Sequence, residues 1–152
     1  MNNEELVLSA MRGLGRSDAL SLRQRANDMT GTEIISEEQK APAWASDKDY
    51  TTWPAGAPVV YDGQLYKLLQ PHNVSHYPDA TPANTPALWG ICHTTDPAKA
   101  KPFVMPLGTS GLYYKDECCT DLEHEDPNAV WCCKVESTDH RPSAWPAGWE
   151  KV

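Results

Sequence analysis

The sequence predicts a mainly β protein in which two small, twisted antiparallel sheets follow a short α-helical N-terminal segment. Three observations carry that expectation. From Pro42 onward, Pro, Gly and Asx clusters such as "WPAGAP", "YDGQ", "TPANTP", "DPNAV" and "RPSAWPAGW" break the chain roughly every eight to twelve residues, the punctuation of short strands. Val59-Val60-Tyr61, Asp62-Gly63 and Leu65 to Leu69 read as a hairpin, two β-prone runs joined by a turn pair that tolerates positive φ. Helical periodicity is confined to the beginning of the chain.

From Asn3 to Arg12, Leu6, Val7, Ala10 and Met11 fall at helical spacing, with Glu4 and Glu5 in the first turn where the helix dipole favours acids. Gly13 and Gly15 stop that run. A second amphipathic helix starts with Ser17 as N-cap and continues through Ala19, Leu20, Leu22, Arg23 and Ala26 to Met29. Helices this short build no core alone, so their apolar faces are expected to dock on another copy or a larger partner; packing onto the rest of the chain is the alternative. "TGTEIISEEQKAPAW" then reads as an extended, acidic linker, which makes residues 1–40 a docking or oligomerisation segment.

In the first sheet, alternation puts Leu65, Lys67 and Leu69 on one face and Tyr66 and Leu68 on the other. The remainder of the chain repeats the plan. Val130 to Val135 falls on the region of Leu65 to Leu69, and Trp149 falls on Trp89, so two divergent copies of one hairpin-and-loop unit are expected. The predicted bounds are 41–95 for the first copy, 96–110 for a connector and 111–152 for the second copy.

Thirteen prolines and six tryptophans against a single Phe describe small cores built from indole and phenol rings. A formal charge of -8 argues against a sequence-independent grip on nucleic acid, which relies on clustered Lys and Arg. No apolar run approaches the roughly 20 residues that would insert into a membrane. Residues 1–20 lack the pattern of a secretory signal, so synthesis and retention in a cytoplasm are expected, with departure by lysis.

Flat aromatic rings suit the C–H faces of sugars, and loop polar groups suit the hydroxyls around them. Trp53, Tyr77, Trp89 and Trp145 are expected to be exposed, because each sits in a loop or at a strand end beside Pro, Gly or His. Trp44, Tyr50, Tyr61, Tyr66 and Trp131 lie in extended or periodic patterns and are expected in the core.

"PAW", "DYTTWPAGAPV" and "YDGQLYKLLQPHNVSHYPDATPANTPALW" resemble the small chitin-binding modules of carbohydrate-binding families five and twelve, whose pattern runs Trp, Tyr, Gly, Val, Tyr-Asx-Gly, Tyr-Lys, Gln-Pro-His and Pro-Ala-Leu-Trp. The matching positions are Trp44, Tyr50, Gly56, Val60, Tyr61-Asp62-Gly63, Tyr66-Lys67, Gln70-Pro71-His72 and Pro86-Ala87-Leu88-Trp89. The resemblance implies a twisted antiparallel sheet that binds an insoluble glycan through an aromatic in the loop before Pro-Ala-Leu-Trp. This chain carries "HYPDA" there, so Tyr77 takes that place slightly out of register. The glycan-binding set is then Tyr77, Trp89, Trp53, His72, Asn73, Trp145 and Trp149, for chitin-like or bacterial surface polysaccharide. The overall arrangement also resembles virion-associated proteins of tailed bacteriophages. That likeness implies a capsid decoration, head fibre or tail protein at the virion surface, docked on other virion proteins by its N-terminal helices and oligomeric, possibly a trimer. A purely structural assembly protein whose modules have lost binding is the alternative.

No catalytic constellation, metal site or cofactor is expected. Glu117, Glu123, Glu125 and Asp126 read as a solvated acidic turn, since glycoside hydrolysis needs two carboxyls across a deep cleft. Cys92 and His93 are adjacent on a strand end, where alternation points them apart. Cys118-Cys119 and Cys132-Cys133 each send one thiol inward, where it packs as a small hydrophobe. A cross-strand disulfide formed after release from the cell is the first alternative; zinc is disfavoured because vicinal cysteines lack the usual ligand spacing.

Overall fold

The computed structural model describes residues 17–77 and 79–152. The helix expected over residues 3–12 lies outside them. Helix α1 spans residues 17–25 and runs into a 3-10 turn, Ala26–Asp28. Helix α2, Gly31–Ser36, follows at once. It stands where an extended linker was expected, and the cause is a capping box. The Glu33 amide donates to Thr30 Oγ1 at 3.2 Å while Glu33 Oε1 accepts from the Thr30 amide at 3.2 Å. T-x-x-E before the apolar pair Ile34-Ile35 is the sequence signature of that start.

For the apolar residues of this segment that the structure describes, the alternative of packing onto the rest of the chain is what is seen. Ala26, Ile34 and Ile35 are buried with Leu65 and Cys92 in one cluster, so this segment covers the back of its own first sheet. Glu37 ties the two helices together: it accepts from Arg25 at 3.1 Å and Lys40 at 2.8 Å, and those partners hold its carboxyl at about 2. Apolar faces of short helices find the nearest core, which here is intramolecular.

The first sheet is antiparallel, in the order β1 (Pro58–Tyr61), β2 (Gln64–Leu68), β3 (Trp89–Ile91). Asp62 (φ 50°) and Gly63 (φ 74°) close the β1–β2 hairpin in the left-handed region, as a two-residue turn of the primed kind requires. Alternation is obeyed: Tyr66 and Leu68 enter a core of Tyr50, Ala57, Val59, Val74 and Trp89, and Leu65 faces α2.

The second sheet combines β4 (Lys101–Pro102), β6 (Cys118–Thr120), β7 (Val130–Cys133) and β9 (Trp149–Lys151) in that order, with β4 parallel to β6. A small ribbon pairs β5 (Tyr113–Tyr114) with β8 (Ser137–Thr138). The pairings of the two sheets correspond residue by residue. Leu68 faces Trp89 as Cys133 faces Trp149, and Val59 faces Tyr66 as Cys119 faces Trp131. Trp44 donates its amide to Val60 O at 2.8 Å, as Phe103 does to Thr120 O at 2.8 Å. The stretch expected to be a connector therefore supplies β4 and the core residue Phe103. Even the left-handed turn before each hairpin is shared, with Gly56 (φ 88°) and Asp116 (φ 74°) both donating to the partner strand.

Cys118 and Cys132 stand directly opposite one another and form a disulfide, the cross-strand pairing that the sequence left as the first alternative. Cys119 and Cys133 are free and buried on the other face with Phe103, Tyr113 and Trp149, packing as the small hydrophobes expected. Among the described residues no group of three or more His, Cys, Asp or Glu side chains is placed to hold a metal ion.

Candidate functional site

Several residues expected in the glycan site are core members. Trp89 is 2% exposed and meets the edge of Tyr50 at 5.2 Å and of His72 at 5.6 Å. His72 is buried as well, its Nδ1 lying 2.8 Å from the Gln70 carbonyl. Trp149 repeats the arrangement in the second copy, 3% exposed, against Tyr113 at 5.5 Å, with Nε1 donating to the His140 carbonyl at 2.9 Å. These corrections have one cause. A unit of this size has few aliphatic residues, so the indole at the head of the last strand fills the space under the hairpin.

Trp53 is half-buried rather than open. The Arg23 guanidinium of α1 lies 3.6 Å from its ring centre, and Tyr50 meets it edge-on at 4.7 Å. A cation already occupies a face a sugar would need. Asn73 is committed to structure too: its Oδ1 accepts from the Ser75 amide at 3.1 Å and hydroxyl at 2.7 Å, starting the 3-10 turn Val74–His76.

That turn positions the first open ring. Tyr77 terminates it, donating its amide to Val74 O at 2.8 Å, and stands 56% exposed with His76 beside it. It lies in a stretch special to the first copy, which uses residues 73–89 where the second uses 138–149 between corresponding points.

The second open ring is Trp145, 38% exposed, four residues before Trp149 as Thr85 is before Trp89. It sits on the backbone of Gly148. A Cβ added at Gly148 would lie 2.4 Å from Trp145 Cε3, so only glycine permits this seat. His140 flanks the ring at 6.0 Å. Each copy thus presents an accessible aromatic beside a histidine on the loop that precedes its last strand.

Tyr114, 54% exposed, was missed by sequence reasoning. Alternation could have found it, because Tyr113 and Tyr114 on one strand must face opposite ways and Tyr113 is buried. An open groove of about 240 Å³ also went unread; Leu69, Pro82, Pro86, Met105, Pro106 and Leu107 line it, and its surface is mainly apolar.

The acidic turn between β6 and β7 includes a carboxylate the sequence does not distinguish. Asp121 is fully buried, accepts from the Glu123 amide at 3.0 Å and the Ser143 amide at 2.9 Å, and lies 3.4 Å from Arg141. Glu123 and Asp126 are exposed and paired with Arg141 and Lys151. Cys92 and His93 do point apart. Cys92 packs in the cluster beneath α2, its thiol pushed up to about 12 by burial, while His93 stacks on Tyr113 at 3.7 Å.

No family model matches the chain, and no curated protein matches it in sequence. The likeness to chitin-binding modules therefore rests on the residues quoted for it.

Proposed function

We propose that the chain is a non-enzymatic, glycan-binding protein of a bacteriophage virion surface, contacting saccharide through Tyr77 of the first copy and Trp145 of the second. One observation carries this reading: an open aromatic ring in each copy, held in place by its own turn, where the buried tryptophans are not. Rigid rings with a polar neighbour suit the alternating apolar face and hydroxyl rim of a sugar. Two weak sites on one chain, multiplied by oligomerisation, would offset modest affinity at each. The virion setting rests on the resemblance of the overall arrangement of the sequence to virion-associated proteins of tailed bacteriophages. Attachment to other virion proteins is assigned to the N-terminal segment.

The test is a fluorescence titration with chito-oligosaccharides and bacterial cell-wall polysaccharides. Saturable quenching is expected, with Trp145→Ala and Tyr77→Ala each weakening binding about three- to tenfold, the value of roughly one aromatic contact. Emission that stays unchanged across the whole panel overturns the reading. It would favour a purely structural assembly protein, for which the observation in hand is the apolar groove with Leu69, Met105 and Leu107 exposed on its walls.

A further inference from the structure

A second cavity, of about 220 Å³, opens where the two copies meet. Its walls come from three parts of the chain: Gly31 at the start of α2, Lys67 and His93 from the first copy, and Gly111, Tyr114 and Glu117 from the second. Unlike the apolar groove it carries opposite charges, an ammonium from one copy and a carboxylate from the other. We infer that this cleft binds a small zwitterion of amino-acid size, with the ligand's carboxylate on Lys67 and its ammonium on Glu117.

Four features support the assignment. Lys67 and Glu117 line the same cavity yet do not pair, and the ion pairs formed among the described residues involve other side chains. Glu117 takes the position held in the first copy by Ala57, which is fully buried, so a carboxylate has been placed where the fold is content with a methyl group. Glu117 Oε1 accepts the Tyr114 amide at 2.7 Å, which fixes the side chain in the wall, and burial raises its carboxyl above the ordinary range, as expected for a group lacking a cation.

The cavity is also preformed. A Cβ at Gly31 would fall 2.4 Å from the His93 carbonyl oxygen, so glycine lets α2 press against the end of β3. His93 Nε2 donates to Gly111 O at 3.0 Å while its ring lies on Tyr113, locking the opposite wall. Rigid walls reduce the ordering cost of binding. The size selects a ligand smaller than the drug-sized molecules that fill cavities of roughly 300 Å³ and more.

The site is independent of the open rings, and an NMR titration of the full chain can separate them. Glycine and the two enantiomers of alanine should produce saturable shifts at the Gly31 and Gly111 amides, with acetate and methylammonium far weaker. Lys67→Met and Glu117→Gln should each weaken glycine binding about tenfold, the loss of one charge-assisted hydrogen bond. Glutamine keeps an acceptor for the Tyr114 amide, and a dispersed spectrum reports that each variant is folded. Glycan binding at Tyr77 and Trp145 should be untouched in both. Absence of saturation with any amino acid, an equal response to acetate alone, or full affinity in both variants overturns the assignment. Tighter binding of N-acetylglucosamine than of glycine at these amides overturns it as well, and gives the cleft to saccharide.

Discussion

Asp121 is where burial and charge conflict most sharply at the level of a single residue. Burial alone would push its carboxyl up, but the Ser143 and Glu123 hydrogen bonds and Arg141 outweigh that and hold it below the usual range. A carboxyl depressed in the fold stabilises it above the unfolded pKa, and that stability is lost as pH falls through the folded one. Urea unfolding should find Asp121→Asn less stable by about 2–4 kcal/mol at neutral pH, since the change removes a buried charge that Arg141 and two amides depend on. The difference from the parent chain should shrink below about pH 4, where the unfolded carboxyl takes up its proton. A gap of constant size down to strongly acidic pH would show that packing, not charge, is what Asp121 contributes.

At the level of elements, the Cys118–Cys132 bridge staples β6 to β7 across an otherwise acidic, solvent-facing turn. The second sheet is made of short strands, and the link removes freedom from the unfolded chain. With a sequence separation of 14, the loop it closes is worth about 3 kcal/mol. Paired Cys118→Ala and Cys132→Ala changes should lower stability by that order in thermal or urea unfolding, and a reductant should have little further effect on the variant. Equal stability with and without the bridge would mean that Phe103, Tyr113 and Trp149 already hold the sheet unaided.

Elements were legible in the sequence wherever the signal was local. Asp62-Gly63 fixes a hairpin through two φ angles, and the fall of Val130 on Leu65 and Trp149 on Trp89 reappears in strand register. Thr30 and Glu33 carried a local signal as well, the capping box that starts α2, which the reading of this stretch as an extended linker passed over. Burial was harder to read. Trp89, His72 and Trp149 sit beside Pro and Gly as Trp145 does, and only the ring of neighbours from distant segments separates a core indole from an open one. The Arg23 cover on Trp53 is likewise a contact between segments that no local pattern announces.

On the scale of the whole molecule the two copies are joined through His93. Its ring leaves the end of β3, stacks on Tyr113 of the second core, and donates to Gly111. Burial lowers its pKa to about 4, against which the Gly111 hydrogen bond is the smaller influence. The unfolded chain therefore binds more protons between about pH 6.5 and pH 4, so the contribution is complete above that window and disappears as pH falls through it. Unfolding followed by both Trp fluorescence and far-UV circular dichroism should show one shared transition at pH 7.5, and the part of the stability owed to His93 should fall by roughly 3 kcal/mol by pH 4.5. Glu117 has the opposite tendency in the same window, because its raised carboxyl gains protons in the fold as pH falls, so the parent chain alone gives a mixed slope. His93→Phe keeps an aromatic plane on Tyr113 while removing the imidazole, and its difference from the parent isolates the histidine. If the variant follows the parent's pH slope, or if the two probes separate into distinct transitions, the stack does not couple the copies.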